Sequence, residues 1–174
     1  DAASESLHYP FEAPPSGRSL EIAPGLQWIR LPLPFALDHI NVWALDDGDG
    51  WALVDTGTRT PGVGEAWDAL LAQALFERPC TRVFVTHMHP DHVGLAGWFT
   101  RRYGVSLWMS RVEYLSTRAL LAEARGPASE HAVQFFAEAG WDPEALQRFR
   151  TRFGTFARMI EPLPDSYRRL RDGM

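Results

Sequence analysis

Thr86-His87-Met88-His89-Pro90-Asp91-His92 is the stretch on which the reading of this sequence turns. Three histidines and one aspartate fall between His87 and His92. They follow the apolar run Val83-Phe84-Val85 and lead into a segment of helical character from about Asp91 to Tyr103. Ligand-type side chains at a strand's carboxyl end, just before a helix, stand where α/β folds build their sites. Histidines at i and i+2 of an extended segment point to the same side and can share one metal ion. Asp91 and His92 belong to the turn into the helix, from which their side chains can swing toward a neighbouring second ion. Imidazole and carboxylate suit zinc, iron or manganese, and no thiolate is present to enforce zinc. A solvent-exposed cluster that binds metal adventitiously is the competing account, and it leaves the strand-and-turn context a coincidence.

Outward from the cluster, the pattern alternates between short apolar runs and amphipathic ones. Leu26 to Leu33, Ile40 to Leu45 and Trp51 to Val54 read as strands, the last two joined through Asp46-Asp47-Gly48-Asp49-Gly50 as a hairpin. After Asp55-Thr56-Gly57 a helix is expected, with Thr60 as N-cap, Pro61 at its first position and Trp67, Leu70, Leu71 and Leu75 as its buried stripe. Arg78-Pro79 ends it. Val105 to Met109 reads as a further strand. The order β-β-β-α-β-α-β predicts a layered α/β domain.

Either side of that domain the character changes. Residues 1–25 are rich in Pro, Ser, Gly and Glu and read as an extended arm, on the domain or loose in solvent. Residues 111–162 are helical throughout, broken at Gly126-Pro127 and at Gly140-Trp141-Asp142-Pro143, where Asp142 makes a good helix start. Phe149, Phe153, Phe156 and Ile160 fall on one helical face, as core or hairpin packing or as a lid presenting aromatic rings. Leu170-Arg171-Asp172-Gly173, within 163–174, reads as a turn toward another strand.

At 174 residues the chain has room for one sizeable core, and its composition is that of an ordinary globular protein. A net charge of −5, with scattered arginines and no basic patch, argues against a nucleic-acid partner. The single cysteine, Cys80, excludes a disulfide framework and a Cys-rich zinc site, and reads as a buried structural residue. No run approaches the ~20 apolar residues of a membrane span, and no signal segment opens the sequence. The expectation is a cytoplasmic protein with a small-molecule substrate and no membrane partner.

Thr86-His-x-His-x-Asp-His, with Leu53-Val54-Asp55-Thr56-Gly57 upstream, resembles the metallo-beta-lactamase superfamily over roughly residues 26–110. That resemblance implies a four-layer αββα sandwich with its site at one edge of the two sheets. It implies two divalent metal ions, zinc first and iron or manganese as alternatives, with His87 and His89 on one ion and Asp91 and His92 on the other. Asp55 becomes a supporting carboxylate that orients the metal loop. Ions ~3.5–4 Å apart hold a bridging water and lower its pKa toward ~7, which gives hydroxide for attack on a carbonyl or phosphoryl centre. Asp91 is the catalytic candidate, accepting a hydrogen bond from that nucleophile. His39 opens a strand and could face the site mouth, although a lone histidine there also fits a packing role. His8 and His131 have no surroundings that suggest a ligand.

The family completes its site with two further histidines and a bridging aspartate downstream, and no counterparts can be placed here. The sequence therefore reads as the N-terminal half of such a domain (26–110), followed by a helical insertion (111–162) and the start of the second half (163–174). His92 at the motif's last position fits the glyoxalase II-like and general hydrolase branches, which points to a hydrolase of thioesters or related acyl compounds. Alternatives are a phosphodiesterase or nuclease, a mononuclear iron oxidoreductase of the sulfur dioxygenase kind, and a catalytically incomplete half-domain that binds a partner or pairs with its own copy.

Overall fold

A computed structural model describes residues 9–124 and 126–174, together with the backbone alone of Ala74 and Leu75. Among the described residues seven strands form one mixed sheet in sequence order: β1 (Ser19–Ala23), β2 (Leu26–Pro32), β3 (His39–Asp47), β4 (Gly50–Val54), β5 (Cys80–Val85), β6 (Leu107–Met109) and β7 (Arg168–Arg169). β1 to β4 are antiparallel neighbours, whereas β5, β6 and β7 each add parallel to the strand before. The antiparallel part is a meander, with two-residue turns after β1 and β3 and a six-residue loop (33–38) after β2. Gly48, at φ 68°, supplies the left-handed residue of the β3–β4 hairpin expected from Asp46 to Gly50.

Parallel addition requires crossovers, and the helices provide them. α1 (Pro61–Leu71) links β4 to β5, and α2 (Pro90–Val93) with α3 (Ala96–Tyr103) links β5 to β6. α4 (Arg111–Glu123), α5 (Glu130–Glu138), α6 (Pro143–Arg152) and α7 (Thr155–Arg158) lie between β6 and β7. Pro61 follows Thr60 at the start of α1, as expected, but the helix stops at Leu71 and a 3-10 turn (Ala74–Glu77) finishes the segment. Trp67 and Leu70 are buried and Leu71 packs against the core, while the Leu75 side chain lies outside the described residues.

Alternation along the strands divides the sheet into two unlike faces. Ile29, Leu31, Val42, Leu53, Val83, Val85, Leu107 and Met109 are fully buried on one face, against Val63 and Trp67 of α1 and Phe99 of α3. On the other, the register lines up Leu20, Trp28, Trp43, Val54, Phe84 and Trp108 in a row that ends at Arg168. These six apolar side chains are only half-buried. Trp28 stacks on Trp43 at 6.3 Å and Phe84 meets Trp108 at 5.8 Å.

Three local expectations change. The stretch read as an arm contains β1, and Pro14 and Gly17 are buried ahead of it, with the Gly17 carbonyl accepting from Gln73 Nε2 at 3.0 Å. Residues 1–8, His8 included, lie outside the described residues. The Phe149–Ile160 stripe divides between two places because α6 ends at Arg152. Phe149 and Phe153 join Phe136 and Trp141 in the α5–α6 hairpin, whereas Phe156 and Ile160 pack on the core. Finally, the single helix expected from Asp91 to Tyr103 is broken at Gly94-Leu95. Among the described residues no helix is long and apolar enough to cross a membrane.

Candidate metal centre

β4, β5 and β6 are parallel neighbours, so the chain leaves all three at the same edge: at Asp55, Thr86 and Ser110. The antiparallel β3 begins there too, at His39. Asp55 is buried and is the one described non-glycine residue at positive φ, 62°. Aspartate is among the few residues that tolerate this backbone conformation. The turn aims its carboxylate at the histidine loop. Oδ1 accepts from the Thr86 N–H at 2.8 Å, and Oδ2 accepts from Thr86 Oγ1 and from His92 Nδ1, each at 2.8 Å.

This carboxylate sets the tautomers. Since a carboxylate only accepts, His92 donates from Nδ1 and keeps a lone pair on Nε2. Thr86 Oγ1 spends its proton on Asp55, so at 3.0 Å it accepts from His87 Nδ1, and His87 keeps its lone pair on Nε2 as well. Those free nitrogens meet the other two candidates. His87 Nε2 lies 3.0 Å from His89 Nδ1, and His92 Nε2 lies 3.4 Å from Asp91 Oδ2. The His87 and His92 rings are adjacent, 3.9 Å between centroids.

Two donors held ~2.0–2.1 Å from one tetrahedral ion stand roughly 3.3 Å apart, close to both observed separations. Among the described residues no three His, Cys, Asp or Glu converge on one point that could hold an ion. The donors converge in pairs, His87 with His89 and Asp91 with His92, and in chemistry and spacing these pairs fit divalent metal ions. Burial disfavours charge on His87, and neighbouring His92 and His89 do so further, which lowers its pKa and leaves it neutral as a ligand must be. For His92 burial acts the same way, but the Asp55 hydrogen bond and the Asp55 and Asp91 charges outweigh it and raise its pKa.

The turn after Asp55 locks the loop's exit. Thr56 is fully buried; its N–H and Oγ1 both donate to the His92 carbonyl at 2.8 Å, and its Oγ1 accepts from the Leu95 N–H at 3.0 Å. That capture of Leu95, together with close backbone contact at Gly94, breaks the expected helix. A Cβ on Gly94 would stand 2.4 Å from the Gly57 carbonyl oxygen.

His39 stands at the same edge but makes no described contact with the cluster; its Nδ1 lies 2.5 Å from Asp38 Oδ1, with Arg30 Nη2 2.9 Å from the same nitrogen. His131 is exposed on α5. One contact to the loop was not foreseen: Glu113 of α4 accepts from the Met88 N–H through Oε2 at 2.7 Å. The Ser110-x-x-Glu113 spacing after a strand was its available signal.

Residues 36–159 match the metallo-beta-lactamase superfamily. The chain belongs to that superfamily. Among solved structures this superfamily member is similar to a beta-lactamase domain protein from Burkholderia ambifaria, at 37% identity and a TM-score of 0.77, over 98% of this chain and 47% of that one. It is also similar to a metallo-beta-lactamase family protein from Thermus thermophilus, at 27% identity and a TM-score of 0.69, over 88% of this chain and 48% of that one. No curated protein matches. The chain thus spans about half the length of these relatives. The fold is correspondingly part of the superfamily's αββα sandwich: one mixed sheet, α1 and α3 packed on one face, and a half-buried apolar row on the other.

Proposed function

We propose that this chain supplies half of the ligand set of a metal-dependent hydrolase that acts on a thioester or related small acyl compound. The observation that carries the reading is the pair of donor pairs, His87 with His89 and Asp91 with His92, with Asp55 bonded to His92 Nδ1 and, through Thr86, oriented toward His87. When bound there, two divalent ions, zinc first and iron or manganese as alternatives, would supply a hydrolytic nucleophile at neutral pH and polarise the carbonyl under attack. The chain's own part is to hold those donors. His87 Nε2 and His89 Nδ1 stand side by side, where one ion could take a lone pair from each, and Asp55 binds His92 at Nδ1, which leaves Nε2 as the nitrogen that would face an ion. Asp91 offers a carboxylate oxygen to orient a water molecule or take its proton. Zinc takes about four ligands per site, so further donors complete each pair. The superfamily and the last-position His92 support hydrolase chemistry, and the acyl substrate is the class that the glyoxalase II-like resemblance favours.

Elemental mass spectrometry on chain purified without chelator or nickel tests this, comparing the unaltered protein with His87→Ala, His89→Ala and His131→Ala. Zinc should co-purify with the unaltered and His131→Ala proteins and be lost from the other two. Equal metal in all four, or none in the unaltered chain, refutes the assignment. Iron in place of zinc would turn the reading toward an oxidoreductase.

A further inference from the structure

The parallel register pairs Val85 of β5 with Met109 of β6, so both chains leave the sheet side by side. Ser110 then caps α4, its side chain accepting from the Glu113 N–H at 3.3 Å. In a capping box the Glu three residues on reaches back to the cap's own N–H. Here the Glu113 carboxylate goes instead to the neighbouring loop and takes the Met88 N–H at 2.7 Å. Met88 lies between His87 and His89. On the β4 side, Asp55 holds the Thr86 N–H at 2.8 Å. The metal loop is therefore held by two carboxylates, one from each adjoining strand's exit, and His87 lies between the two amides they hold.

We propose that Glu113 is a positioning residue for the His87–His89 pair, tying the first helix of the 111–162 segment to the metal loop. A charged acceptor on a backbone N–H makes a strong and directional bond. It fixes the peptide between the two histidines, and with it the direction in which each ring leaves the chain. Glu113 itself touches neither ring among the described hydrogen bonds. It acts through Met88, and it lies in the first turn of α4, which opens the helical segment between β6 and β7. A shift of α4 along its axis would thus change the geometry of the first donor pair. This inference rests on the metal-site reading given above.

The test uses the whole chain, 15N-labelled, in four forms: unaltered, Glu113→Ala, Glu113→Gln and Ser129→Ala. Ser129 caps α5 by accepting from the Ala132 N–H and makes no described hydrogen bond to the loop, so its loss is a structural control. Hydrogen exchange at the Met88 amide and zinc affinity by competition with a chromophoric chelator are both measured. Glu113→Ala should speed Met88 exchange at least tenfold, on the order of one lost strong bond, and weaken zinc binding about 10–100-fold, as loss of a residue that orients metal ligands does. Glu113→Gln keeps a carbonyl acceptor, folds more readily than the alanine variant, and should recover most of both. Ser129→Ala should lower the unfolding midpoint and leave both readouts unchanged. Unchanged zinc affinity in Glu113→Ala overturns the proposal, even where Met88 exchange accelerates. If the unaltered chain binds no zinc, the metal reading itself fails, and Met88 exchange still shows whether Glu113 holds the loop.

Discussion

Replacing Asp55 removes the acceptor of three hydrogen bonds at once, from the Thr86 N–H, Thr86 Oγ1 and His92 Nδ1. Bonds to a charged partner contribute roughly 1.5–3 kcal/mol each, and part-exposed donors belong at or just below the lower end, so Asp55→Ala should lose about 4 kcal/mol from this source. Alanine at Asp55's φ of 62° adds a backbone cost of roughly 1 kcal/mol, which glycine avoids. The expected order of stability loss is therefore Asp55→Ala at about 5, Asp55→Gly at about 4 and Asp55→Asn at about 2 kcal/mol, against a domain total of roughly 5–15 kcal/mol. Asparagine tolerates the backbone conformation and still accepts from Thr86, but its NH2 group faces His92 Nδ1. The imidazole must then carry its proton on Nε2, so Asp55→Asn should fold and yet lose the donor that His92 would give a metal. Urea unfolding followed by the fluorescence of the seven tryptophans measures the stabilities, and zinc titration measures the donor. An alanine variant within about 1 kcal/mol of the parent, or no less stable than the asparagine variant, would refute this account of Asp55.

Two further perturbations probe the surroundings. Gly94→Ala places a Cβ 2.4 Å from both the Gly57 and Pro90 carbonyl oxygens and 2.6 Å from Thr58 Cα. None of these backbone atoms can move freely, so a loss of about 3 kcal/mol or more is expected by urea unfolding, and a loss below about 1 kcal/mol would show that the loop yields. Burial, the largest cause, pushes the Cys80 thiol up to about 12 from its ordinary 9.0. The folded chain then holds that proton more tightly than the unfolded one, so this contribution is complete below pH 9.0 and is lost as pH rises toward about 12. Urea midpoints across that window should fall more steeply for the parent than for Cys80→Ala, and parallel lines would contradict the shift.

The histidine loop and its place in the fold were legible because chemistry and periodicity coincide there. Val83-Phe84-Val85 is apolar without alternation, as a strand flanked on both sides requires, and the ligand residues start where it ends. Asp55 was legible as a supporting carboxylate only through its spacing from the loop; its left-handed backbone is a property of the folded turn. Three features depend on register and contact, which linear sequence does not display. The apolar pattern from Asp91 to Tyr103 reads as one helix, but tertiary bonds from Thr56 and Gly57 to the Leu95 N–H break it beside Gly94, where propensity is low. β1 was hidden in a polar, Pro-rich arm because an edge strand needs little hydrophobicity when β2 supplies the ladder. Glu113 stands at capping-box spacing from Ser110, and only the Val85–Met109 pairing brings the Met88 N–H within its reach.

The same register explains why the candidate site sits where two kinds of packing meet. Val54 and Phe84 belong to the half-buried row on one face, whereas Leu53, Val83 and Val85 belong to the closed core on the other. One residue after Val54 stands Asp55, and two after Phe84 stands Thr86, so the loop is carried by strands whose opposite sides are in unlike surroundings. The closed face gives those strand ends fixed positions, which a constellation tolerant of only ~0.5 Å displacement needs. The open aromatic face gives the histidines a low-dielectric flank once it is covered, where charge–charge interactions strengthen. Stability and chemistry are thus divided between the two faces of one sheet. Substitutions at Leu53 or Val83 should therefore unfold the chain, whereas substitutions at Trp43 or Phe84 should be milder for the chain's own stability and be felt chiefly by whatever packs on that face.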